Sequence, residues 1–100
     1  MDNINLELNE SGEGAFLLKE SGRKIGEMAI SIKNDLMTVF HTEVAPEAEG
    51  KGYAGQLLAA MVDYARGHQL KVVPICPYVH LQFRRHADKY QDIWQKPAEN

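Results

Sequence analysis

The stretch that decides the fold runs from Phe40 to Met61 and reads FHTEVAPEAEGKGYAGQLLAAM. It begins like the end of a strand and finishes with the apolar spacing of an amphipathic helix. Between these parts, Gly50, Gly52 and Gly55 predict a sharp turn, because glycine tolerates positive φ and lets a ligand approach the backbone closely. The first N–H groups of the following helix lack intrahelical partners and lie at the positive end of its dipole. The stretch therefore predicts a binding site for an anion such as pyrophosphate.

Three known anion-binding motifs compete for this turn. Gly50–Gly55 matches the G-x-G-x-x-G dinucleotide fingerprint, which also requires an acidic residue about 20 residues later. The corresponding region, Lys71–Cys76, has no carboxylate. A P-loop is excluded because Lys51 is followed by Gly52, so no Ser or Thr hydroxyl is placed to bind Mg²⁺. The third motif fits better: Glu49–Ala54 resembles the Arg/Gln-x-x-Gly-x-Gly/Ala signature of the GNAT superfamily of N-acetyltransferases. In that family, the loop binds the pyrophosphate of acetyl-CoA.

Further blocks extend the resemblance from about Ile25 to Ile93, to a small single-domain GNAT-like subfamily. The blocks that carry it, beside the glycine loop, are His41–Val44, Val73–Val79 and Arg85–His86. One departure concerns charge. The family usually has Arg or Gln where this chain has Glu49, and Glu47 adds a second carboxylate. Negative charge beside a pyrophosphate site opposes binding.

Composition limits the classes of function. A chain of 100 residues with 44% apolar residues is expected to form one domain, residues 1–100. The net charge of −3 argues against nucleic acid as the main partner, since that contact needs a basic face. The single cysteine excludes an internal disulfide and suggests a reducing compartment. Neither a signal peptide nor an apolar run of about 20 residues is present. We therefore expect a cytoplasmic protein that binds no membrane.

The order of hydrophobic patterns predicts an α+β fold, an antiparallel four-stranded meander followed by a helix, a parallel strand and a short helix. This order is what a reduced GNAT fold would give. In that family, the fourth and fifth strands splay apart, and the thioester enters the gap. The predicted strands are Ile4–Leu8, Ala15–Lys19, Lys24–Ile32, Leu36–Val44 and Lys71–Ile75. The first helix is marked by the apolar stripe of Ala54, Leu57, Leu58, Met61 and Ala65. The second helix is predicted over Val79–Tyr90, and a frayed tail is predicted over Lys96–Asn100.

Two residues of the fourth strand are candidates for a catalytic base. By the alternation of side chains along a strand, Met37, Val39, His41 and Glu43 are expected to share one face. That face turns polar at the end of the strand, beside the glycine loop. An acetyl transfer to an ammonium group needs a base, and Glu43 or His41 could serve directly or through water. The alternative is a hydrogen-bonded strand histidine beside a rim carboxylate.

Cys76 is the candidate nucleophile, because it ends the fifth strand across the expected gap. Its thiolate could accept acetyl from the coenzyme and form a covalent intermediate. The alternative is a buried cysteine that acts as a small hydrophobic residue. Direct transfer within a ternary complex needs no cysteine. We expect no metal site, because the spacing of His41, His80 and His86 with Cys76 matches no standard ligand pattern.

The family resemblance implies a coenzyme site and an activity. Backbone groups near Thr42–Val44 would hold the acetyl carbonyl and the pantetheine arm, and Arg84, Arg85 or Lys51 could bind the 3′-phosphate. Acetyl-CoA would be the cosubstrate, and an amine of a small molecule, protein or peptide would be the acceptor. The alternative is a non-catalytic module that binds acyl-CoA. The expected coenzyme-binding residues are Thr42, Val44, Glu49, Gly50, Lys51, Gly52, Tyr53, Ala54, Gly55, Arg84 and Arg85.

Overall fold

Residues 3–97 are described by a computed structural model, in which one five-stranded sheet carries three α-helices and a short 3-10 helix. The elements in chain order are β1 Ile4–Leu8, β2 Glu13–Glu20, β3 Arg23–Lys33, β4 Leu36–Val44, the 3-10 helix Pro46–Ala48, α1 Tyr53–Gly67, β5 Lys71–Pro74, α2 Pro77–Arg85 and α3 Ala87–Tyr90. Neighbouring strands follow in sequence order, antiparallel from β1 to β4 and parallel between β4 and β5. The predicted α+β meander is confirmed.

The hydrophobic core lies between one face of the sheet and the helices. The buried sheet residues alternate along their strands, as expected when only one face is covered. Those that alternate are Phe16, Leu18, Met28, Ile30, Met37, Val39 and Val72, and they join Leu57, Leu58, Met61, Val62 and Ala65 of α1 and Val79 and Phe83 of α2 in one cluster. Ile25 of β3 belongs to the same cluster and departs from the alternation, because the register of β2 against β3 shifts beside it. The predicted stripe of α1 is therefore the core face, apart from the half-buried Ala54.

A β-bulge interrupts β4. The register of β3 against β4 shifts between Ala29 and Ile30, which leaves Phe40 as an extra residue on β4. An extra residue moves every following side chain to the other face of the sheet. Phe40 is 46% exposed, and after it the side chains of β4 lie on the faces opposite to those that an uninterrupted alternation would give them.

The bulge overturns the sequence-based prediction for the polar end of β4. Met37 and Val39 are fully buried in the core, whereas His41 and Glu43 are exposed on the opposite face. Thr42 takes the core-side position instead, because it pairs with the buried Met28. The expectation that Met37, Val39, His41 and Glu43 share a face is wrong, because it counted an uninterrupted alternation.

The fourth and fifth strands separate as expected. Pairing of β4 with β5 begins at Leu36 and ends at Val39, after which the Cys76 N–H donates to the Val39 carbonyl at 2.8 Å. Strand β4 continues through Phe40–Val44, and no strand among residues 3–97 pairs with it on that side. We call this gap between the end of β4 and the start of α2 the wedge.

The C-terminal part differs from its prediction in its boundaries. The predicted helix Val79–Tyr90 begins earlier, at Pro77, because proline suits the first turn of a helix. It breaks at His86, where φ is −126° and ψ is 48°, and continues as α3. The predicted frayed tail, Lys96–Asn100, reaches outside the described residues after position 97. Within residues 3–97, every helix is too short or too polar to cross a membrane.

Candidate functional site

A cavity of about 300 Å³ lies between the end of β4, the glycine loop and the start of α2. It is lined by Thr42, Val44, Ala48, Glu49, Gly50, Gly52, Tyr53, Ala54 and Tyr78. All of these except Ala48 and Tyr78 are predicted coenzyme-binding residues. Lys51, Gly55, Arg84 and Arg85 do not line this cavity. The two arginines lie in the last turn of α2, and their contact with a coenzyme stays a prediction.

The glycine loop presents backbone N–H groups that have no acceptor within the described chain. Gly50 and Gly52 adopt φ values of 85° and 80°, which favour glycine, and Gly52 is the N-cap residue of α1. The helix has no side-chain cap, and its first backbone hydrogen bond runs from Gln56 N–H to the Gly52 carbonyl at 3.1 Å. The amides of Gly50–Gly55 are therefore available to an anion at the positive end of the helix.

A second group of backbone amides points into the wedge. In an antiparallel pair, the N–H and C=O of successive residues point alternately to opposite sides of a strand. The Ala45 N–H donates to the Ile25 carbonyl on β3 at 2.8 Å. The backbone groups of Thr42 and Val44 therefore point away from β3, toward the side where β5 has separated.

Thr42 and Cys76 meet beside the cavity. The Thr42 Oγ1 and the Cys76 Sγ lie 3.4 Å apart, and this contact links β4 to the start of α2 across the wedge. Cys76 is only 2% exposed and is the N-cap residue of α2. The half-buried Tyr78 lines the cavity two residues further along, and burial raises the pKa of its hydroxyl. Tyr78 is therefore protonated at neutral pH, and its hydroxyl can act as a hydrogen-bond donor at the cavity.

The two predicted bases lie on the opposite face of the sheet and do not line the cavity. The His41 Nε2 is 3.2 Å from the Glu43 Oε1 and 3.6 Å from the Glu27 Oε2. The Lys24 ammonium donates to Glu27 at 2.6 Å and lowers the pKa of Glu27 below its usual value. The ligand atoms of Glu27, His41 and Glu43 all lie within 4.8 Å of one another, a grouping that could share a proton or a cation.

Sequence patterns did not reveal Glu27 as a member of this group, because it lies on β3 and reaches His41 only through the pairing of two strands. They also did not reveal Ala48 in the cavity. No local pattern would have identified either residue, since both positions depend on contacts between separate elements.

The two carboxylates that precede the glycine loop have different surroundings. Glu47 binds Arg23 at 2.5 Å, and its pKa is lowered, first by its own backbone N–H and then by Arg23. The negative charge of Glu47, which was expected to oppose an anion, is therefore paired with Arg23. Glu49 lines the cavity. The Tyr53 hydroxyl, at the start of α1, donates to Glu20 at 2.9 Å, and this hydrogen bond raises the pKa of Tyr53.

Solved structures share the fold. A protein from Staphylococcus aureus described as GCN5-like has a TM-score of 0.68 and 24% identity, over 100% of this chain and 96% of that one. The ribosomal-protein-alanine N-acetyltransferase of Brucella melitensis has a TM-score of 0.64 and 20% identity, over 91% and 67% of the two chains. A GNAT family acetyltransferase of Brucella melitensis in complex with acetyl-CoA has a TM-score of 0.59 and 20% identity, over 76% and 53%.

The chain thus spans nearly all of a small relative and about half to two thirds of two larger ones. No curated protein matches the sequence. The family model described as GCN5-related N-acetyl-transferase matches residues 15–93, which include the glycine loop and the wedge. The chain belongs to the GCN5-related N-acetyltransferase family, as its motifs predicted.

Proposed function

We propose that this protein binds acetyl-CoA in the cavity and transfers the acetyl group to an amine. The observation that carries the proposal is the convergence of two sets of unpartnered amides on one cavity. The loop amides of Gly50–Gly55 suit a pyrophosphate, and the amides of Thr42 and Val44 suit the pantetheine arm and the thioester carbonyl. Family membership agrees with this use, and one relative of the same fold was solved with acetyl-CoA.

The wedge and the opposite face of β4 together supply the groups that the reaction requires. The amine nitrogen attacks the thioester carbonyl carbon, forms a C–N bond and gives up one proton to Glu43 or His41. The carbonyl oxygen becomes an oxyanion, which the amides of Thr42 and Val44 stabilise. The C–S bond then breaks, and the coenzyme leaves as a thiolate that takes a proton from the Tyr78 hydroxyl.

In this proposal, the coenzyme and the acceptor approach β4 from opposite faces of the sheet. The cavity for the coenzyme lies on the core side of β4, with Thr42, whereas Glu43 and His41 lie on the other side. The acceptor therefore approaches from the face that carries the bases and meets the thioester in the wedge. The described residues of that face are half-buried or exposed. An open face without walls suits an amine carried by a protein or peptide better than a small free amine.

Two routes are open to the acetyl group, and burial favours the direct one. In the covalent route, the Cys76 thiolate attacks the thioester, the coenzyme thiolate leaves, and the amine then attacks the new cysteine thioester. This route requires the Cys76 Sγ to reach the carbonyl carbon. At 2% exposure, with Thr42 Oγ1 at 3.4 Å, the sulfur is packed as a small core group. We propose direct transfer.

Thermal unfolding with and without acetyl-CoA tests the binding step. A ligand at 100 times its Kd adds about 2.7 kcal/mol of stability, which raises the midpoint by roughly 10–20 °C for a domain of this size. Gly52→Asp should abolish the shift, because aspartate tolerates positive φ and would hold its own carboxylate against the loop amides. Gly67→Asp adds the same charge at the far end of α1 and should keep the shift.

Two results would overturn parts of the proposal. A wild-type midpoint that acetyl-CoA does not move would refute the coenzyme site. A normal shift without release of coenzyme thiol, across lysine peptides and small amines, would instead favour a non-catalytic module that binds acyl-CoA. Release of thiol that depends on a peptide amine would support transfer to a peptide.

A further inference from the structure

We infer that the β2–β3 turn holds the glycine loop, here called the coenzyme loop, in place. In this clamp, Glu20 and Arg23 are positioning residues for acetyl-CoA. The inference rests on the proposed function, because it concerns the affinity of the same site. It adds two residues that lie outside the cavity and far from the loop in sequence. Neither belongs to the glycine motif.

The turn itself is tight and has a favoured backbone geometry. Glu20 and Arg23 pair with each other at the end of the β2–β3 hairpin. The two residues between them, Ser21 and Gly22, have φ values of 52° and 78°. A two-residue connection with both φ values positive matches the right-handed twist of the strands and is among the most favoured hairpin turns. The carboxylate and the guanidinium therefore project from a fixed base.

The two side chains contact opposite ends of the coenzyme loop. The Arg23 guanidinium donates to the Glu47 carboxylate at 2.5 Å, in the 3-10 helix that enters the loop. The Glu20 carboxylate accepts from the Tyr53 hydroxyl at 2.9 Å, at the first residue of α1 where the loop ends. One short turn thus holds both ends of the segment that carries the positive-φ glycines.

The loop needs such restraint. Glycine loses more conformational freedom on ordering than any other residue, and the amides of Gly50–Gly55 make no hydrogen bond in the described chain. A loop that is ordered before the coenzyme arrives avoids this entropic cost at the moment of binding. The clamp should therefore strengthen acetyl-CoA binding. It should leave the rate of the bound complex unchanged, because neither contact reaches the wedge.

If Glu20 acted only through its charge, its removal would change the affinity for acetyl-CoA in the opposite direction. Glu20 is an exposed carboxylate beside a site for a polyanion, and removing it would strengthen coenzyme binding if only its charge mattered. Removing Glu20 weakens binding if the carboxylate acts by holding Tyr53 in place. The direction of the change therefore separates positioning from simple electrostatics.

The test compares Glu20→Ala and Arg23→Ala with the conservative variants Glu20→Gln and Arg23→Lys. Glutamine keeps an oxygen that can accept from Tyr53, and lysine keeps a donor for Glu47. Titration calorimetry with acetyl-CoA should give a Kd about three- to ten-fold higher for each alanine variant, and values near wild type for the conservative variants. The KM for acetyl-CoA should rise in parallel, and kcat at saturation should stay constant. Glu7→Ala removes an exposed, ion-paired carboxylate on β1 and should change neither parameter.

A readout without coenzyme completes the test. Order parameters of the backbone ¹⁵N nuclei at Gly50 and Gly52 should fall in Glu20→Ala and recover in Glu20→Gln. Alanine variants that bind acetyl-CoA as tightly as wild type, or more tightly, would overturn the clamp while leaving the proposed function intact. A wild-type protein that binds no acetyl-CoA would overturn both.

Discussion

Replacing Cys76 by alanine separates the two routes by which acetyl could leave the coenzyme. The substitution removes one buried sulfur and the 3.4 Å contact with Thr42 Oγ1. In direct transfer, no bond to Cys76 forms, so kcat should stay within about three-fold of wild type. In the covalent route, the nucleophile is lost, and removal of a nucleophile lowers kcat by as much as about 10⁶.

The structural effect of Cys76→Ala should be small and measurable. Deleting a single buried heavy atom costs about 1 kcal/mol of unfolding free energy. For a domain of this size, that cost lowers the midpoint of thermal unfolding by roughly 4–8 °C. The variant therefore remains folded at 25 °C, and its activity can be compared directly with that of the wild type.

The assay is the release of coenzyme thiol at saturating acetyl-CoA, with thermal unfolding measured on the same preparations. Cys76→Ser is the matched variant, because it keeps the side-chain size and can hydrogen-bond to Thr42. A thousand-fold loss of kcat in both variants, with acetyl-CoA still bound, would refute direct transfer. A wild-type protein that carries an acetyl group on the Cys76 peptide in its mass spectrum would refute it as well.

Three further outcomes follow from the described contacts. Arg66 donates to Asp92 at 2.9 and 3.2 Å and holds the pKa of that carboxyl below its usual value, so Asp92→Asn should lose up to about 1 kcal/mol at pH 7. Because a lowered pKa contributes its full stability above the unfolded value of 3.8 and loses it as the pH falls through the folded value, urea unfolding should show the two proteins converging in acid. Glu43→Gln should lower kcat by about 10²–10⁴ at an unchanged KM for acetyl-CoA, in steady-state assays, if Glu43 is the base. Gly14→Ala should lower the free energy of unfolding by about 3 kcal/mol, and with it the thermal midpoint, because its Cβ would lie 1.8 Å from the Glu7 carbonyl oxygen.

Each of these outcomes has a control. Gly67→Ala places a Cβ in open space and should leave the midpoint near that of wild type. A wild-type kcat in Glu43→Gln would exclude Glu43 as the base and leave His41 as the candidate. A stability difference between Asp92→Asn and wild type that persists at a pH below the lowered pKa of Asp92 would show that the loss at pH 7 does not come from the charge of Asp92.

The glycine loop and α1 could be predicted from the sequence because their signals are local. Glycines at positive φ, unpartnered amides at a helix start and an apolar stripe all depend on residues within a few positions of one another. The same is true of the short turns of the meander. The family resemblance added the separation of β4 from β5, which the pairing confirms at Val39.

The bulge at Phe40 could not be predicted, because it is a mismatch between two strands. Alternation along β4 contains no sign that one residue lacks a partner on β3. A single extra residue was enough to move His41 and Glu43 to the opposite face from Met37 and Val39. The error concerns the part of the site where the acceptor is proposed to bind. Clusters that join separate strands, such as Glu27 with His41, could not be predicted for the same reason, because they depend on how two strands pair.

The anion site depends on backbone geometry more than on charged side chains. Neither Lys51, Arg84 nor Arg85 lines the cavity, while Glu49 does. In the proposed function, the attraction for a pyrophosphate therefore comes from the amides of Gly50–Gly55 and the dipole of α1. Amides attract an anion only while they point at it, and the glycines that give them this direction also make the loop costly to order. In such a site, affinity depends on the contacts that hold the loop. For this reason, the proposed clamp assigns two contacts of the β2–β3 turn an effect on coenzyme binding, although neither contact touches the coenzyme.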